Sequence, residues 1–171
     1  MANSAENTPN TVMPDWTREA PRRWWDPGPQ LLKTIRRYQR QRGRPGLFSN
    51  ARRRYYVVWH RFWSVVSGAD IPLNSHIAGG LVLIHPNGVV IHPDSEVGPN
   101  CMLFQQVTLG TQHDEQAPVL GADVLVGAGA KILGGVRIGD HARIGANAVV
   151  LCDVPDHATA VGIPARILMR S

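Results

Sequence analysis

A chain of 171 residues, 43% of them hydrophobic, suffices for one sizeable core with an appended segment. No apolar run approaches the ~20 residues of a membrane span, and Met1 to Pro14 lacks the apolar stretch of a secretory signal, so a cytoplasmic protein is expected. The net charge of +5 is uneven: residues 1–70 hold 13 Lys and Arg against 5 Asp and Glu, residues 71–171 hold 5 against 8.

Residues 1–28, rich in Pro, Asn and charge, read as a disordered or loosely packed tail, with Trp16, Trp24 and Trp25 available to hold it to the body. Residues 29–68 read as two basic helices. Leu31, Leu32, Ile35 and Tyr38 recur at helical spacing after Pro29, and Gly43-Arg44-Pro45-Gly46 breaks the pattern. The second helix is expected after Ser49 or Asn50, either of which would cap it. Its Tyr55, Trp59, Phe62 and Val66 form a stripe expected to pack on the body, with Arg52, Arg53, Arg54 and Arg61 on the other faces. No nucleic-acid-binding motif accompanies these arginines, so nucleic acid is not expected as a partner. Their charge suits either a solvated face or peripheral contact with an anionic membrane surface.

From residue 69 to 171 the period changes to six. Ile71, Ile77 and Leu83 begin it; the phase slips by two and resumes at Ile91, Val97, Leu103 and Leu109. After a polar excursion from Gly110 to Pro118 come Leu120, Val126, Ile132, Ile138, Ile144 and Val150. Small or β-branched residues follow four positions behind: Val124, Ala130, Val136, Ala142, Ala148 and Val154. Neither a helix nor plain strand alternation has this period; one flat face of a parallel β-helix does. Mainly β structure is therefore expected, each hexad supplying an inward aliphatic, a small inner-corner residue and a turn. Cys101 occupies an inner-corner slot and reads as a buried structural thiol, and two cysteines, Cys101 and Cys152, fit a reducing compartment. Pro155 and Pro164 are expected to close the repeat.

The histidines cluster around the two irregularities. His85 stands at the first slip, in Leu83-Ile84-His85-Pro86-Asn87-Gly88; His76 precedes it and His92 and His113 follow. Residues a coil apart stack in a parallel solenoid. His85 and the 110–118 loop are therefore expected to converge, or to meet across a subunit boundary.

The runs Gly80-Leu81, His85-Pro86-Asn87-Gly88-Val89-Val90-Ile91, Gln106-Val107-Thr108-Leu109-Gly110, Val126-Gly127-Ala128-Gly129-Ala130-Lys131-Ile132-Leu133-Gly134 and Val161-Gly162-Ile163-Pro164-Ala165-Arg166 resemble the serine acetyltransferases over roughly residues 68–168. These are hexapeptide-repeat acyltransferases, and the short helical part resembles their compact members. The resemblance implies a left-handed parallel β-helix, acetyl-CoA as cosubstrate and transfer of an acetyl group to a hydroxyl, L-serine being the family's acceptor. It implies His85 as general base. It lays CoA along Gly110, Gly127, Ala128, Gly145 and Ala146, with Lys131 and Arg166 as partners for its phosphates.

The departures concern the acceptor. Where the biosynthetic serine enzymes have an acidic residue before the histidine this chain has Ile84; their later glutamate falls at Pro93, and their carboxylate-reading Arg-His pair falls at Gln116-Ala117. His92, Asp94 or Glu96 is then the candidate to orient His85, and His113 the candidate on the acceptor side. A sugar or surface-polysaccharide hydroxyl becomes the alternative acceptor. Two other classes stay open: a zinc enzyme of carbonic-anhydrase type drawing on His85, His92 and His113, although no metal is expected, and a non-catalytic assembly protein. A homotrimer is expected, because one solenoid this short leaves apolar flats and an incomplete cleft for neighbouring copies to close.

Overall fold

The computed structural model describes residues 12–43, 46–112 and 116–169. Its strands are two or three residues long and fall on three faces in rotation. The first sheet stacks His76–Ile77, Glu96–Val97, Val119–Leu120 and Arg137–Ile138; the third stacks Val90–Ile91, Thr108–Gly110, Lys131–Leu133 and Val149–Val150. Between them the second sheet runs from Val82–Leu83 through Met102–Leu103, Leu125–Val126, Arg143–Ile144 and Thr159–Val161. All these pairings are parallel, and the stacked coils form a left-handed β-helix of about 4 turns.

Register explains the hexads. Leu83, Leu103, Val126 and Ile144 pair in sequence down one face, as Ile91, Leu109, Ile132 and Val150 do down another, and all are buried. The small residues behind them, among them Val124, Ala130, Ala142 and Ala148, fill the inner corners at 0% exposure. The glycine after the aliphatic follows from coil stacking: a Cβ on Gly98 would lie 2.2 Å from the carbonyl oxygen of Gly121 in the next coil.

Side chains close the first coil, which has no coil above it. Arg36 donates to the carbonyls of Ile77 and Ala78, Gln39 Nε2 to those of Leu73 (3.1 Å) and Ser75 (3.0 Å), and His60 Nε2 lies 2.8 Å from the Ile71 carbonyl. These residues belong to two packed helices, α1 (Pro27–Gln39) and α2 (Leu47–Ser67). α1 opens on Pro27, whose missing N–H costs nothing in a first turn, and buries Leu31, Leu32 and Ile35. α2 ends on Gly68, whose φ of +66° is the left-handed cap glycine permits. At the other end Arg166–Leu168 pairs antiparallel with Thr159–Val161 and stops the stack.

Three expectations need correction. α2 starts at Leu47, ahead of Ser49, with Gly46 as a cap lacking a side chain; Ser49 is buried within the first turn instead of capping it. The stripe of α2 packs only in part: Val66 lies against the core as expected and Trp63 and Ser67 face the body beside it, whereas Tyr55, Trp59 and Phe62 are exposed. Residues 12–26 are docked, not loose. Glu19, 8% exposed, accepts both Nε and Nη2 of Arg36 (3.1 and 2.8 Å) and the amides of Gly80 (2.9 Å) and Leu81 (3.2 Å), while Trp16 lies beside Gly79. Residues 1–11 of the expected tail lie outside the described residues.

Candidate active site

In each lower coil four residues carry the chain from a second-sheet strand to a third-sheet strand, as in Phe104 to Val107 and Gly127 to Ala130. In the first coil six do so, Ile84 to Val89, and the two extra residues make a turn with His85 in the left-handed region (φ +53°). This turn is tied at several points. Gly88 N–H donates to the Gly68 carbonyl (2.7 Å), Val89 N–H to that of Pro86 (3.1 Å) and Gln106 N–H to that of Asn87 (2.9 Å). The His85 side chain is exposed and has no hydrogen-bond partner among the described residues. A constrained backbone thus holds out an uncommitted imidazole.

The coils below continue that edge. Gly129 N–H donates to the Gln105 carbonyl (2.9 Å) and Asn147 N–H to that of Ala128 (2.8 Å), so Gln105, Ala128 and Ala146 follow one another down it. Adjacent coils are separated by about 4.8 Å. Ala128 is half-buried and Ala146 exposed, so small side chains line the lower part of this track; Asn87, two residues after His85, stands above Gln105 at its head. Lys131 Nζ donates to the Gln106 carbonyl at 2.6 Å, which lays its ammonium group along this track. Arg166 is exposed near the foot, opposite Val161 in the closing hairpin, and Val161 fills the space beside Gly145.

Glycines of the candidate set differ. A Cβ on Gly127 would fall 2.7 Å from the Ala146 nitrogen, so stacking requires this glycine. A Cβ on Gly110 would meet only Leu133 Cδ2 at 3.4 Å and Thr108 Cγ2 at 3.6 Å, ordinary contacts at an ordinary φ. Packing among the described residues gives no reason for glycine at 110. Gly110 also lies at the far end of its strand, away from the His85 edge.

His92 and Asp94 stand on that other edge too, beyond the strand Val90–Ile91 that separates them from His85. His92 Nδ1 accepts the Asp94 N–H at 3.3 Å and lies 3.9 Å from Asp94 Oδ2. Within one protomer these two serve each other, and neither orients His85. His113 lies outside the described residues. Cys101 offers no nucleophile: burial, the main cause, pushes its thiol up to about 12, and its Sγ points at the Gly121 carbonyl (3.2 Å).

One residue that the sequence did not single out belongs here. Gln105, in the coil directly below the His85 turn, has a buried Oε1 without a hydrogen-bond partner among the described residues. Such an atom calls for a donor. Its only sequence signal is position, since Gln105-Gln106 occupies the corner filled lower down by Ala128-Gly129 and Ala146-Asn147.

Known proteins share this architecture. The family described as bacterial transferase hexapeptide (six repeats) matches residues 117–152. The serine acetyltransferase of Synechococcus elongatus is 44% identical over 110 residues, 63% of this chain and 45% of the relative. That of Helicobacter pylori J99 is 39% identical over 125 residues, 70% of this chain and 73% of the relative. Soybean serine acetyltransferase, as apoenzyme, superposes with a TM-score of 0.70 at 34% identity, covering 83% of this chain and 57% of that one. A serine acetyltransferase in complex with CoA gives 0.70 at 33% identity, with 85% and 58% covered. The chain therefore spans about half the length of several relatives and nearly three quarters of the Helicobacter protein. The likeness extends well past the repeat segment matched by the family model, over most of a relative's length, and on that ground the chain belongs to the serine acetyltransferase family.

Proposed function

We propose that the protein is an acetyl-CoA-dependent O-acetyltransferase with His85 as general base. The observation that carries this reading is the two-residue insertion that turns His85 outward at the edge whose lower coils carry the track of Ala128 and Ala146. Laid along that track past Ala146 and Ala128, acetyl-CoA would present its thioester near the imidazole, with Lys131 and Arg166 on its phosphates. His85 takes the proton of the acceptor hydroxyl as that oxygen attacks the thioester carbonyl. The tetrahedral intermediate collapses with cleavage of the C–S bond, and the imidazolium returns the proton to the CoA sulfur. The products are an acetyl ester and free CoA. A positioned base of this kind contributes ~10²–10⁴-fold.

L-serine is the first acceptor to test, because serine acetyltransferases are the relatives. A sugar hydroxyl is the second, favoured by Gln116-Ala117 where a carboxylate-reading pair is expected. A homotrimer supports the same site. His85 and the His92–Asp94 pair occupy opposite edges of one face, so a neighbouring copy set against that face would bring its own second edge to the first copy's histidine. A cytoplasmic location accords with two free thiols and with the cosubstrate.

The test is CoA release from acetyl-CoA, with L-serine beside nucleotide sugars and oligosaccharides, for wild type and His85→Ala. A fall of ~10²–10⁴-fold in kcat with an unchanged KM for acetyl-CoA is expected. Undiminished turnover in His85→Ala would sink the assignment. Sedimentation as a monomer at micromolar concentration would remove the shared cleft.

A further inference from the structure

Helix α2 turns an apolar surface away from the body. Val58 is 67% exposed and Val65 79%, and Tyr55, Phe62 and Phe48 lie on the same outward side. Arg54 and Arg61 flank them, both exposed. Trp25 approaches Phe62 edge-on at 6.5 Å, and Trp24 beside it is 82% exposed, which widens the patch. Between α1 and α2 opens a cleft of about 480 Å³ lined by Tyr38, Asn50, Arg53, Arg54, Val57 and Val58. Residues 27–69 hold ten Lys and Arg and no Asp or Glu.

We infer that this helical pair docks the protein on an anionic lipid surface. An outward row of valines and aromatics bordered by arginines is the pattern of a helix lying in a membrane interface, apolar side down and guanidinium groups among the phosphates. No helix among the described residues is long and apolar enough to cross a membrane, so the contact is peripheral. Charge decides between occupants. Two copies meeting through residues 27–69 would bring arginine rows together with no carboxylate from either segment, whereas anionic headgroups supply the missing charge. Trp24, Trp25 and Phe62 suit the headgroup boundary, where aromatic rings are favoured. The proposal concerns binding alone and stands whether or not His85 is the catalytic base.

The test is co-sedimentation of the full chain with vesicles of phosphatidylcholine, with and without 40 mol% phosphatidylglycerol (a composition chosen at about the anionic content that makes the surface potential effective). Binding to the anionic vesicles only, weakened by salt, is expected. Removing one arginine near the surface should weaken binding about fivefold, so Arg54→Gln with Arg61→Gln should weaken it by about 25-fold or more. Val58→Ser with Val65→Ser should weaken it as well, with circular dichroism unchanged for both pairs. Equal binding to neutral vesicles, no binding, or binding indifferent to both pairs overturns the proposal. So does a smaller assembly in either variant, which would make the face a contact between copies, or capture of RNA without capture of vesicles.

Discussion

Glu19→Ala should free the N-terminal clamp from the first coil. The carboxylate is 8% exposed and its partner Arg36 13%, and it accepts four hydrogen bonds at 2.8–3.2 Å. Removing one member of so buried a pair costs about 3–5 kcal/mol, because the guanidinium stays behind uncompensated. The effect should be local: the amides of Gly80 and Leu81 lose their acceptor. At about 1.4 kcal/mol per tenfold, their exchange with deuterium should quicken by two to four decades. Mass spectrometry on a peptide spanning residues 76–84 reads this directly. The double variant Glu19→Met with Arg36→Met should lose less than the two single changes added together. It retains a penalty of about 1–3 kcal/mol for each backbone group left without a partner. Exchange at the wild-type rate in Glu19→Ala, or strict additivity across the cycle, would refute the buried clamp.

Two glycine substitutions should part company. Gly127→Ala forces its methyl to 2.7 Å from the next coil's backbone and should lower stability by about 1–3 kcal/mol in a thermal melt. Gly110→Ala meets only ordinary contacts and should be neutral or stabilising by about 0.4–1 kcal/mol. A loss of turnover in that variant, with its melt intact, would mark the backbone there as a ligand contact. Thiol titration of the native protein should find Cys152 quickly and Cys101 only after denaturation, since the one is exposed and the other buried. Cys101 ionises at about 12 when folded, against 9.0 for the free thiol. Its contribution to stability is therefore complete below pH 9 and fades as pH rises toward 12; Cys101→Ala should flatten that alkaline decline.

The repeat was legible because its cause is local and periodic. Ile132 must point inward and Ala130 must fit a corner in every coil, so one hexad predicts the next. The slip at residues 84–89 was legible for the same reason, as a fault in a regular count. The Glu19–Arg36 clamp was not legible, since no period links residue 19 to residues 36, 80 and 81. In α2 the expected stripe packs at Val66 but not at Tyr55, Trp59 and Phe62, because aromatic spacing fixes a stripe and not which way it faces. The place of His92 and Asp94 was not legible, because the strand Val90–Ile91 between them and His85 carries them to the opposite edge of the face.

The antiparallel strand Arg166–Leu168 governs how the molecule can multiply. A parallel solenoid with bare ends would be a template for its own elongation, each chain seeding another end to end into a filament. Here a reversed strand seals the foot and two helices seal the head, so neither terminus offers a matching parallel register. What the two seals leave open to a second copy is the flanks of the prism and not its ends.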